Sequence, residues 1–135
     1  MADDTLKDIV NHLEFLGYSS ERQDDGWTSV SHPTRPDFFM KPFAHGVRAV
    51  AFFRYDEQVC GPEWLSFANN CNEASRLASF SVFSQDGKGT GVRSVVVFPL
   101  AYDKVMFGAW MEAWQQDLEI LRNAPERERA SAVTH

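Results

Sequence analysis

The apolar residues near the N-terminus are spaced three or four positions apart, as on one face of an α-helix. They run from Leu6 to Leu16, and this stripe predicts an amphipathic surface helix. Asp4 or Thr5 can cap its start, because a short polar side chain accepts hydrogen bonds from the unpaired N–H groups of a first helical turn. Gly17 is expected to end the helix.

The region that follows this helix is predicted to form strands. Residues 18–26 are polar and turn-rich, and segments with many aromatic and β-branched residues come after them. The pattern predicts three strands, at residues 27–32, 38–43 and 47–55. Because proline cannot donate a hydrogen bond to a neighbouring strand, Pro42 predicts an edge strand or a bulge in the second of them.

The second half of the chain is predicted to be a helix, a two-stranded hairpin and a final helix. The helix opens at Gly61 and Pro62, the hairpin spans residues 78–100, and the final helix runs from Lys104 to Arg122. The complete order is α-β-β-β-α-β-β-α. It predicts an α+β fold in which an antiparallel sheet is flanked by helices.

Three asparagines lie close together in the middle helix. Asparagine is a poor helix former, so Asn69, Asn70 and Asn72 require an explanation. Either their amides tie the end of the helix to a neighbouring strand or loop, or they contact a ligand or partner. Asn69 and Asn72 lie on one flank of the helix and are therefore candidate interaction residues.

The second face of the predicted hairpin is not cleanly polar. By strand alternation, Phe83, Val95 and Val97 lie on this second face. A sheet with one solvent-exposed face should instead carry polar residues there. We expect this face to be covered by another element or to meet a second subunit.

The final helix is apolar over an arc of roughly 200°, about twice the width that a one-sided surface helix needs. Such a helix contacts two partners, so Phe107, Trp110 and Trp114 are candidate contact residues, some in the core and others in an interface. That interface is either a dimer contact or a binding site for another protein. Asp117 falls within the same arc, and we expect it to pair with a basic residue or to point into a wet interface.

Length and composition favour one folded domain. The chain has 135 residues and 44% hydrophobic content, enough for a core without disulfides or metals. The predicted domain covers residues 1–124, and residues 125–135 are expected to fray. Cys60 and Cys71 are too few for a disulfide framework and are expected to be reduced. An acidic N-terminus and the lack of a long apolar run predict a cytoplasmic protein without a membrane span.

The charge balance argues against nucleic acid as a partner. Nineteen acidic residues exceed thirteen basic ones, giving a net charge of −6, whereas binding to phosphates requires a basic surface. An acidic protein of this kind stays dispersed in solution, or accepts a basic peptide.

The sequence predicts no catalytic, cofactor-binding or metal-binding residues. No pair of histidines has the spacing of a metal site, and no motif places a serine or cysteine for attack. The chain is therefore expected not to be an enzyme. An enzyme remains the alternative if His32, His45 and Asp37 converge in one pocket.

The order of elements and the segment FANNCNEAS resemble the YbjN family, bacterial proteins labelled as sensory transduction regulators, with the type III secretion chaperone-like fold. That family carries asparagines at three-residue spacing in its middle helix, which here are Asn69 and Asn72. The resemblance implies a homodimer with a non-enzymatic role in binding an unidentified protein or peptide. A dedicated secretion chaperone for an effector is a narrower alternative within the same class.

Overall fold

A computed structural model of the protein describes residues 2–55, 62–85 and 89–123. The described helices are α1 (Ala2–Phe15), α2 (Pro62–Ala74) and α3 (Lys104–Leu118), and a 3-10 helix (Glu119–Asn123) follows α3. The strands are β1 (Ser19–Arg22), β2 (Thr28–Ser31), β3 (Phe38–Phe43), β4 (Gly46–Tyr55), β5 (Ser79–Gln85) and β6 (Gly89–Pro99). They form one six-stranded sheet in the order β1-β2-β3-β4-β6-β5.

The predicted α+β class, with an antiparallel sheet and flanking helices, is confirmed. One strand is additional, because β1 lies inside the segment predicted to be only polar and turn-rich. It pairs antiparallel with β2, with Ser20 opposite Val30 and Glu21 opposite Ser29. A short polar strand at the edge of a sheet needs no alternating hydrophobic pattern, so the sequence gives no sign of it.

The prediction that Pro42 marks an edge strand is wrong for β3 as a whole, because β3 lies between β2 and β4. The last residue pair with β2 is Thr28 opposite Met40, so Pro42 lies beyond the end of β2. On its other side Pro42 is opposite Val47 of β4. Its missing N–H therefore removes no hydrogen bond to β2, and an internal strand tolerates the proline.

Helix boundaries follow the predicted capping signals with two differences. The first helix ends at Phe15 and is followed by Gly17 with a φ of 97°, a left-handed conformation that favours glycine. It begins at Ala2, earlier than predicted. The last α-helix ends at Leu118 rather than at Arg122, and its final residues form the 3-10 helix. The predicted tail at residues 125–135, and Cys60, lie outside the described residues.

The chain divides into two compact units, and the first contains the described residues up to Ala51 together with Val95–Met111. Within it α1 packs against β1 and β3. One face of the strands supplies the core together with α1 and the first turns of α3. The largest buried side chains of this unit are those of Ile9, Leu13, Val30, Phe38, Met40, Val47, Phe98 and Phe107.

The second unit contains Phe52–Ser94 and the chain from Glu112 onward. Here α2 packs against β5 and also contacts the 3-10 helix. Its buried face consists of Trp64, Phe67, Ala68 and Cys71. Burial raises the pKa of the Cys71 thiol to about 11, so this cysteine is a packing residue without nucleophilic character at neutral pH.

Candidate functional site

Asn72 is bonded to the backbone of β5. Its side-chain oxygen accepts the N–H of Phe80 at 2.6 Å, and its amide nitrogen donates to the carbonyl of the same residue at 2.9 Å. The side chain therefore takes the place of a neighbouring strand at this position, as one of the two alternatives for the asparagines predicts. Asn69 and Asn70 are exposed, and a partner contact at Asn69 stays a prediction.

The aromatic candidates on α3 differ in exposure. Phe107 and Trp114 are buried, and the indole N–H of Trp114 donates to the hydroxyl of Ser94 at 3.0 Å. Trp110 is half-buried and stacks on Phe98, with ring centroids 6.1 Å apart. Trp110 is thus the candidate that still presents surface, and the contacts predicted for these residues stay predictions.

Asp117 holds the connection between α2 and β5. Its carboxylate accepts the backbone N–H groups of Arg76, Leu77 and Ala78, each at 2.9 Å, and the residue is almost fully buried. The expectation of a basic partner or a wet interface is therefore wrong. A buried carboxylate can be satisfied by backbone donors alone, and local sequence gives no signal for donors about forty positions away.

The histidines of the enzyme alternative lie at opposite ends of a strand. His32 follows β2 next to the start of β3, where it packs on Tyr18 with ring centroids 4.6 Å apart. His45 lies in the turn after the other end of β3 and packs on Phe43. A strand of this length spans roughly 17 Å, so these histidines do not converge.

The described residues contain neither a metal-binding cluster nor a membrane-spanning helix. No group of three or more His, Cys, Asp or Glu side chains within them could hold a metal ion. None of the helices in residues 2–55, 62–85 and 89–123 has the length and apolar character needed to cross a membrane.

An open pocket lies beside the C-terminal half of α1. It has a volume of about 280 Å³ and is lined by Asp8, Asn11, His12, Phe15, Tyr102 and Lys104. His12 Nδ1 and the Tyr102 hydroxyl are 2.7 Å apart and share a hydrogen bond. The sequence gives no sign of this pair, because Tyr102 is 90 positions from His12 in the chain.

Burial and neighbouring charges keep both members of this pair neutral near pH 7. Burial, and then the charge of Lys104, lower the pKa of His12. Burial, and then the carboxylates of Asp8 and Asp103, raise the pKa of Tyr102. The pocket therefore presents the neutral His12–Tyr102 pair together with the acidic side chain of Asp8 and the basic side chain of Lys104. None of its lining residues is a positioned nucleophile.

The other side of the sheet in the first unit carries a different surface. Side chains on a strand alternate between faces, so the residues between the core positions of β3, β4 and β6 point away from α1 and α3. We call these positions the outer face. They are Phe39, Lys41, Phe43, Arg48, Val50, Val95 and Val97.

The outer face combines exposed apolar side chains with two cations. Phe43 is 38% exposed and Val97 48% exposed, and Phe39 lies opposite Val50 in the β3–β4 pair. Lys41 and Arg48 are both exposed and lie directly opposite each other. The register follows from the short turn between Phe43 and Gly46, so counting outward from that turn could have found this pair in the sequence.

Comparison with known proteins identifies a similar fold. No protein-family model matches the chain, and no curated protein matches it. Among solved structures, the crystal structure of "YbjN, a putative transcription regulator from E. coli" is similar to this chain, with a TM-score of 0.61. The similarity covers 88% of this chain and 91% of that chain at 14% identity. It therefore supports a YbjN-like fold for this protein.

Proposed function

We propose that this chain is a non-enzymatic protein-binding or regulatory module of the YbjN type, and that its outer face binds a segment of another protein. The observation that carries the proposal is that the exposed side chains of Phe43 and Val97 and the half-buried ones of Phe39 and Val95 surround Lys41 and Arg48 on that face. Single exposed apolar residues are ordinary, but an apolar patch shared by neighbouring strands usually marks a contact.

The strand register supports a continuous patch. Phe39 and the buried Val50 are directly opposite, and Phe43 is four residues further along β3 on the same side. Val95 and Val97 belong to β6, the next strand after β4 in the sheet, and alternate onto the same side. Apolar side chains of three adjacent strands therefore adjoin one another, which suits a segment laid across the sheet.

A second surface of the first unit is suited to self-association. Val105, Met106 and Ala109 are exposed on the first turns of α3, and Trp110 beside them is half-buried. We assign the homodimer contact to this helix surface, which leaves the outer face for the protein partner. A bacterial and cytoplasmic setting belongs to the same proposal, as does the narrower role of a secretion chaperone.

The proposal is tested with a matched pair of phenylalanine substitutions. Phe43→Glu places a carboxylate on the outer face, whereas Phe15→Glu places one at the pocket beside α1, where Phe15 is 82% exposed. Tagged wild type and both variants are purified gently from native cells, and co-purifying proteins are quantified by mass spectrometry. A partner should be lost with Phe43→Glu and retained with Phe15→Glu. Loss only with Phe15→Glu, or no partner at all, would overturn the proposal.

A further inference from the structure

The charges of the outer face identify the chemistry of its partner. We infer that the bound segment is acidic, with Asp or Glu side chains among apolar ones, an inference that rests on the proposed function. This is the opposite of what the net charge of the whole chain favours, because a protein with net charge −6 is expected to attract basic peptides.

The first observation is the pairing of two cations. Lys41 on β3 and Arg48 on β4 are directly opposite, and like charges in such a pair repel each other. Their neighbours on the outer face are the apolar positions Phe39, Phe43 and Val50. The sheet therefore places two cationic residues at opposed positions of adjacent strands, with the Lys41 ammonium directed toward Trp27 and no described carboxylate paired with either.

The second observation is that neither cation is ion-paired with a carboxylate of the described residues, although Asp24 and Asp25 precede Gly26 in the turn beside the Lys41 ammonium. Asp25, in the turn between β1 and β2, accepts the backbone N–H of Trp27 at 3.0 Å. Glu21 lies on β1, separated from β4 by two strands. Within the described residues Arg48 has no carboxylate partner. An incoming carboxylate would thus meet a guanidinium that no carboxylate of the described residues already pairs with.

The third observation is that Lys41 is held in place. Its ammonium lies 5.6 Å from the ring centroid of Trp27, a cation–π contact that orients the side chain along the sheet. Because the apolar side chains lie next to the two cations, the best occupant offers both kinds of contact. Two cations are too few for a phosphate backbone, which favours a protein segment over nucleic acid.

A second copy of this chain fits the outer face less well. The acids Asp3, Asp4 and Asp8 lie on α1, which packs on the opposite side of the strands in the first unit. Contact between α1 of one copy and the outer face of the next would be heterologous, and such contacts repeat into open chains unless their rotation closes a ring. The position of the α1 acids therefore favours a different protein as the partner over a second copy of this chain.

The test is selection of random dodecapeptides displayed on phage, using the full chain as bait. Selection runs in parallel on the wild type, on the double variant Lys41→Glu/Arg48→Glu and on the control Lys7→Glu. Lys7 is an exposed lysine of α1, away from the outer face. Circular dichroism first establishes that each bait is folded.

The inference predicts that the wild type and Lys7→Glu enrich acidic, apolar peptides, whereas the double variant enriches basic ones. An acidic peptide from the wild-type pool should bind the double variant on the order of tenfold more weakly, as two exposed ion pairs of typical strength imply. Its affinity for the wild type should fall as salt rises.

Three outcomes overturn the inference. In the first, the enriched peptides show no excess of acidic residues but still lose binding to Phe43→Glu. This result would leave the proposed function intact and would overturn only the inference that the partner is acidic. Peptides whose binding is unchanged in Phe43→Glu would remove the outer face as the binding surface. Selection that enriches no peptide on any bait would count against both.

Discussion

Lys41 and Arg48 lie directly opposite each other in the antiparallel pair of β3 and β4, with apolar residues on either side. This cross-strand pair opposes folding, because like charges at directly opposed positions repel. A surface selected only for stability would place opposite charges here. The arrangement therefore fits a surface that is completed by an acidic partner.

Replacing Arg48 with Glu should stabilise the isolated protein. The substitution leaves Lys41 over Trp27 and converts a repulsive cross-strand pair into an attractive one. We expect the free energy of unfolding to rise by about 0.2–1 kcal/mol. Urea denaturation at low salt measures it, and Arg48→Gln should give a smaller gain because it only removes repulsion.

The same Arg48→Glu variant should bind an acidic peptide more weakly than the wild type does. Greater stability together with weaker binding is the signature of a residue that serves recognition at some cost to the fold. A variant that is both less stable and equally able to bind would contradict this account of Arg48.

Asn72 should matter for stability, whereas Asn69 should not. Asn72→Ala removes both hydrogen bonds to the backbone of Phe80, which we expect to cost about 1–2 kcal/mol. The side chain of Asn69 makes no hydrogen bond to another described residue, so Asn69→Ala should change the free energy of unfolding by less than about 0.5 kcal/mol. Equal effects of the two substitutions in thermal or urea unfolding would show that the Phe80 contacts are not what stabilises this region.

Asp117→Asn should be strongly destabilising although it changes only one atom. The carboxylate accepts three backbone N–H groups, and an amide would turn an NH₂ donor toward one of these donors. The expected cost is about 2–3 kcal/mol in urea denaturation. Glu112→Gln, at an exposed position of the same helix, is the control and should be nearly neutral. Similar unfolding midpoints for the two variants would contradict the structural role of Asp117.

Trp110→Glu should give a folded monomer. Trp110 is half-buried beside the exposed residues Met106 and Ala109, so a carboxylate there would face the proposed dimer contact. Sedimentation analysis measures the oligomeric state, and circular dichroism checks the fold. Trp110→Phe keeps a ring against Phe98 and should remain dimeric. A dimer of Trp110→Glu would exclude this residue from the interface, and an unfolded chain would assign it to the core.

Much of the fold could be predicted from the sequence because its helices and most of its strands carry periodic apolar patterns. Ile9 and Leu13 on α1 are buried as their spacing predicts. The sequence does not predict strand β1, because its residues are polar and carry no alternating apolar pattern. Its pairing with β2 defines it as a strand.

The functional surface could be predicted only in part. Val95 and Val97 were expected on an apolar second face, and the structure places them there. The Lys41–Arg48 pair depends on strand register, and the His12–Tyr102 and Asp117 contacts join distant parts of the chain. Counting from the short turn between β3 and β4 could have given the first of these, whereas the other two leave no local periodicity because the partners are 90 and 39 positions apart in the chain.

The most direct test of binding through the outer face is photo-crosslinking at two matched valines. A photoreactive amino acid replaces Val97 on the outer face or Val105 on α3, which are 48% and 79% exposed. After irradiation in native cells, mass spectrometry identifies the crosslinked species. We predict a different protein joined at position 97 and a second copy of this chain joined at position 105. A different protein joined at position 105 and none at position 97 would contradict the account.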